Sequence, residues 1–143
     1  KINDIKFIPS TYLMLVATNT GLTLFEISPN KMEPLWDYLS NSPIYNIKFG
    51  QNQEGEIDRV YAIGPEVGVK TFDYNQTDKK LTLNNSIEFA TDSMTMDLED
   101  MFYYDHELDR DRRVIYVANY KGYIELYDEN ITKFRTTYAN GSI

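Results

Sequence analysis

One pattern recurs three times along this chain: an apolar run, a tight corner containing glycine, and an apolar–aromatic run closed by an acid. The copies are Tyr12 to Ser28 (YLMLVATNTGLTLFEIS), Arg59 to Asn75 (RVYAIGPEVGVKTFDYN) and Arg112 to Glu129 (RRVIYVANYKGYIELYDE). Their corner glycines, Gly21, Gly68 and Gly122, stand 47 and 54 residues apart. Self-similarity at that period marks a repeat architecture in which each copy is one supersecondary unit. Runs rich in Val, Ile, Thr, Tyr and Phe around an Asn/Gly corner read as β-hairpins, because glycine takes positive φ without steric cost. The third copy has one residue more between its glycine (Gly122) and its acid (Asp128), which predicts a bulge in its pairing.

Each hairpin has flanking strands. Ile5-Lys6-Phe7 recurs as Ile47-Lys48-Phe49 ahead of the first two copies, and MDLEDMFYY (96–104) takes that place in the third. A further strand is expected after each hairpin, at PLWDYLSN (34–41), SIEFATD (86–92) and KFRTTYAN (133–140), ending at Asn41-Ser42, Asp92-Ser93 and Asn140-Gly141. The only helix-like window, NKMEPLWDYLSN, is broken by Pro34. Four strands in roughly 45–50 residues match a propeller blade. The expected fold is all-β, a β-propeller segment of about three four-stranded antiparallel blades and, on blade count, part of a larger propeller. The units are 1–42, 43–93 and 94–143. Three blades are fewer than the roughly 4–8 that close a ring, so further blades or subunits are expected.

Composition narrows the function. Fourteen basic against 22 acidic side chains give a net charge of −8, which opposes a general nucleic-acid or anionic-membrane surface. There is no apolar run of about 18 residues, so membrane insertion is not expected. The chain opens on Lys1 rather than Met, as a fragment or a processed chain would. With no cysteine, neither disulfides nor thiolate metal sites enter. Twelve Tyr, seven Phe and one Trp suit half-buried strands.

At these same residues the chain resembles the LVIVD-repeat propellers, whose core is an aliphatic-Ala run, a Gly turn and alternating aliphatics ending in Asp. VATNTGLTLFEISPN carries the resemblance most fully; YAIGPEVGVKTFDYN and YVANYKGYIELYDEN follow it more loosely. The Trp-Asp ending of WD repeats is missing from these strands, since Trp36-Asp37 lies in an outer strand. The resemblance implies a propeller fold and a surface or secreted protein without a general catalytic set.

Four Asn-x-Ser/Thr sequons, at Asn75, Asn84, Asn130 and Asn140, exceed what composition gives by chance and fall at expected loops. They are candidate N-glycosylation sites, although Asn and Ser also favour turns for backbone reasons. The acidic run Asp97, Glu99, Asp100 and Asp105 to Asp111 offers hard oxygen ligands. As an EF-hand loop from Asp105 it fails, with Arg110 at the glycine position and Tyr116 at the terminal acid, so it reads as a solvated loop neutralised by Arg110, Arg112 and Arg113. His106 is the lone histidine, and Asp105 and Glu107 beside it in sequence do not orient its ring. Phe25, Phe72 and Tyr127 recur before the acid of each unit and are expected to pack between neighbouring blades, whereas Tyr38 and Tyr138 suit an interface.

The expectation is a non-catalytic interaction or structural module, extracellular or at the cell surface, whose partners are proteins or other copies of itself, with no catalytic residue, metal or cofactor. Two alternatives stand: a cytoplasmic WD-like scaffold, and a propeller hydrolase whose funnel is built from more blades.

Overall fold

A computed structural model describes residues 1–87 and 95–138. The described residues form twelve strands and no helix. The first sheet holds β1 (Ile2–Phe7), β2 (Leu13–Thr18), β3 (Gly21–Ser28) and β4 (Lys31–Leu39). The second holds β5 (Asn46–Gln51), β6 (Ile57–Gly64), β7 (Gly68–Asn75) and β8 (Lys80–Ile87). The third holds β9 (Thr95–Asp105), β10 (Arg110–Asn119), β11 (Tyr123–Tyr127) and β12 (Lys133–Tyr138). Each is a four-stranded antiparallel meander in sequence order.

The sheets stack with equivalent strands aligned: β1 lies against β5, β4 against β8, and β5 against β9. Two buried clusters mark the two seams. The first joins Leu13, Leu15, Ala17, Leu22 and Leu24 to Ile47, Val60, Ala62 and Phe72. The second joins Tyr61, Ile63 and Val69 to Leu98, Ile115, Val117 and Tyr127. β6 is buried along nearly its whole length, because both faces of the middle sheet are covered. β12, at the edge of the third sheet, is exposed throughout.

Several boundaries differ from those read in the sequence. The fourth strand of the second sheet is Lys80–Ile87, not 86–92; it starts straight after the β7–β8 turn, where Leu81 enters the core and Leu83 faces out. Residues 88–94, with Asp92-Ser93, and 139–143, with Asn140-Gly141, lie outside the described residues. β4 starts at Lys31 and runs through Pro34. A register shift between Leu24 and Phe25 accommodates that proline on an edge strand, where its missing N–H costs no ladder bond. The extra residue of the third copy leaves the β10–β11 register regular from Ile115↔Tyr127 to Ala118↔Ile124, while β11 shifts register against β12 between Leu126 and Tyr127, as β3 and β7 do against their own outer strands. The corner absorbs it instead, with Gly122 (φ 93°) donating its N–H to the Asn119 carbonyl.

Candidate functional site

The register shows which side chains face which way. Ile47, Phe49, Val60, Ala62 and Phe72 form the face of the second sheet turned to the first, and Leu98, Asp100, Ile115, Val117 and Tyr127 form the face of the third turned to the second. The same register positions in the first sheet are Ile5, Phe7, Met14, Val16 and Phe25, and no sheet covers them among the described residues. Ile5 is 47% and Phe7 57% exposed, whereas Ile47 and Phe72 are fully buried. The opposite face of the third sheet is open too: Tyr116, Ala118, Ile124 and Leu126 are only half-buried, and Met101 and Tyr103 are exposed. Each end of the row therefore leaves large apolar side chains without a covering sheet among the described residues, a feature of interaction sites.

The recurring aromatics behave accordingly. Phe72 receives the ring edges of Trp36 and Tyr38 at centroid separations of 5.4 and 5.2 Å. Tyr127 packs in the second seam. Phe25 has the same facing but lies on the open face. Tyr38, expected at an interface, is therefore a first-seam residue, while Tyr138 is 45% exposed beside Tyr123.

The second seam holds a polar cluster. Asp100 occupies the position that Phe49 fills in the sheet before it, and its side chain is wholly buried. Arg113 satisfies it, donating from Nε to Asp100 Oδ1 (2.9 Å) and from Nη2 to Oδ2 (2.7 Å). The guanidinium also forks onto Asp58 across the seam, at 2.7 and 2.8 Å. Tyr61 donates its hydroxyl to Asp100 Oδ2, and Lys48 reaches Asp97 at 3.0 Å nearby. Burial opposes the charge on Arg113, but its bonds to Asp58 and Asp100 outweigh this and hold its pKa above the ordinary arginine value. Burial, then the charge and hydrogen bond of Asp100, push the Tyr61 hydroxyl well above the usual tyrosine range, with Arg59 pulling partly the other way. Arg113 and Tyr61 both donate to carboxylates, so the cluster holds two sheets in register rather than presenting a reactive group.

The acidic run is thus not a single solvated loop: Asp97, Glu99 and Asp100 lie within β9, and only 105–111 straddle the β9–β10 turn. The sequence signal for the ion pair was the Arg113–Asp100 match itself; strand pairing was needed to bring Asp58 to it. Asp105 accepts the amides of Glu107 and Leu108 through Oδ1, and these bonds hold its carboxyl below the usual range. His106 meets the Tyr104 ring edge-on at 5.0 Å. Among the described residues no group of three or more His, Cys, Asp or Glu is arranged to hold a metal.

Asn75, Asn84 and Asn130 are exposed. Asn75 uses Oδ1 to accept the amides of Thr77 and Asp78 in the β7–β8 turn. Asn84 donates Nδ2 to Asp73 at 3.1 Å from within β8, so this sequon is on a strand rather than in a loop. Asn130 donates its amide to Asp128 in the β11–β12 turn. Asn140 lies outside the described residues. No protein-family model matches the chain, and no curated protein matches it.

Proposed function

We propose that this chain is a β-propeller segment of the LVIVD-like kind, a non-catalytic interaction and structural module of a secreted or cell-surface glycoprotein that assembles with further blades or subunits. One observation carries the reading. The open face of the first sheet presents Ile5, Met14 and Phe25 at register positions whose counterparts are buried in both seams. A surface patterned like a seam is suited to another four-stranded sheet. The sheet-to-sheet stacking with aligned strands supports a propeller row, and the exposed Asn75, Asn84 and Asn130 support glycosylation.

Sedimentation of the 143-residue chain tests the assembly, since Phe7→Glu with Phe25→Lys alters only the open face. Concentration-dependent association that this double variant abolishes is the expected result; a monomer unaffected by it at every concentration would overturn the reading. Intact mass of native material before and after enzymatic deglycosylation tests the compartment. Unmodified Asn at all four sequons would favour a cytoplasmic scaffold instead.

A further inference from the structure

We propose that the cleft at the end of the first seam, between the β1–β2 and β7–β8 turns, is a carbohydrate subsite that seats one pyranose ring. The inference goes beyond the assembly role, and its failure would leave that role standing.

The cleft encloses about 350 Å³, at the small end of the range for ligand sites. Pro9, Ser10, Tyr12, Glu26, Tyr74 and Lys79 line it. Two features distinguish it from an incidental gap. Tyr74 is only 7% exposed, yet its hydroxyl is buried without a hydrogen-bond partner. Buried polar groups are almost always partnered, so an orphaned hydroxyl in a cleft wall calls for a ligand atom or water. Tyr12, by contrast, is 80% exposed at the same cleft, an apolar ring left open to solvent.

The second seam shows why the space exists. Arg59 pairs with Asp73 as Leu13 pairs with Glu26, so the two hold one repeat position. Arg59 crosses its seam and donates to the Glu129 carbonyl at 2.5 Å, occupying that level. Leu13 has no such reach, and Lys79 and Glu26 form an ion pair across the first seam instead.

The lining chemistry selects the ligand class. A pyranose has an apolar C–H face that lies on an aromatic ring and a rim of hydroxyls that both donate and accept. The cleft supplies the ring of Tyr12, the hydroxyls of Ser10 and Tyr74, the Glu26 carboxylate as acceptor and the Lys79 ammonium as donor. An anion would meet a single lysine already paired with Glu26, and a divalent cation would meet a single carboxylate.

The test is amide-resolved NMR titration of the 143-residue chain with methyl glycosides of glucose, galactose, mannose and N-acetylglucosamine, and with a neutral proline-containing peptide. At least one sugar should shift Ser10, Tyr12, Tyr74 and Lys79 in a saturable manner, with a Kd on the order of 1 mM. Tyr12→Ala should weaken binding at least about tenfold and Tyr74→Phe about fivefold, since the first removes the stacking ring and the second one hydroxyl. Tyr74→Phe should leave the unfolding midpoint unchanged or raised, because it deletes an unpartnered hydroxyl; a purely structural role would lower it. The proposal is overturned if no sugar moves these residues, if binding survives both substitutions, or if the peptide shifts them and the sugars do not.

Discussion

Arg113→Met tests the second seam most directly. Arg113 is 5% exposed and donates four hydrogen bonds of 2.7–2.9 Å to Asp58 and Asp100. Methionine keeps the apolar stem and removes the charge. Asp58 is about one-third exposed and regains water, but the Asp100 side chain has no exposure and loses the cation that compensates its burial. Breaking a buried pair from one side costs about 3–5 kcal/mol, a large part of a total stability of about 5–15 kcal/mol. For a chain of this size the melting temperature should fall by roughly 10 °C. Urea unfolding followed by circular dichroism should show the loss as a lower midpoint at constant m. The double variant Arg113→Met/Asp100→Leu removes the stranded carboxyl group and should recover at least half of it. A single variant costing less than about 1 kcal/mol, or a double variant no better than the single, would refute the reasoning.

Three more perturbations follow from the same packing. Gly50→Ala places a methyl group against the Asp100 carboxylate and the Arg113 guanidinium, both pinned by hydrogen bonds; a loss of about 1–3 kcal/mol is expected in the same denaturation assay. Phe72→Ala empties a fully buried site beneath Trp36 and Tyr38, which should cost about 3–5 kcal/mol and red-shift the fluorescence of the lone Trp36. Burial and the neighbouring Asp100 raise the Tyr61 hydroxyl, while burial and Glu125 raise that of Tyr127. A raised folded pKa gives stability that is intact below the unfolded value near 10 and is lost as pH rises above it. Ultraviolet titration should therefore show at least two tyrosines that ionise only as the chain unfolds in alkali; normal ionisation of all twelve near pH 10 would contradict the burial of both.

The hairpins and their repeat were legible in the chain because their causes are local. Glycine at Gly68 and Gly122 permits the left-handed turn, and alternating apolar residues on either side bury one face. Lys80–Ile87 escaped notice because KLTL is short and polar-flanked, and only the packing of Leu81 reveals which of its faces is inward. The polar cluster was half visible: Asp100 and Arg113 are close in sequence and opposite in charge. Asp58, Tyr61 and Gly50 join them only because β5 and β6 stack against β9 and β10.

By itself the sequence determined the pattern of the three hairpins, their corner glycines and their apolar faces, since propensity and period act over a few residues. The tertiary structure decided which face meets which sheet. Phe25 and Phe72 share one motif position, yet Phe72 is sealed under Trp36 while Phe25 lies on an open face. Likewise Leu13 and Arg59 share a repeat position, and only the reach of each side chain across its seam leaves one open and the other bridged. Burial depends on what the neighbouring sheet supplies, and that neighbour lies tens of residues away in the chain.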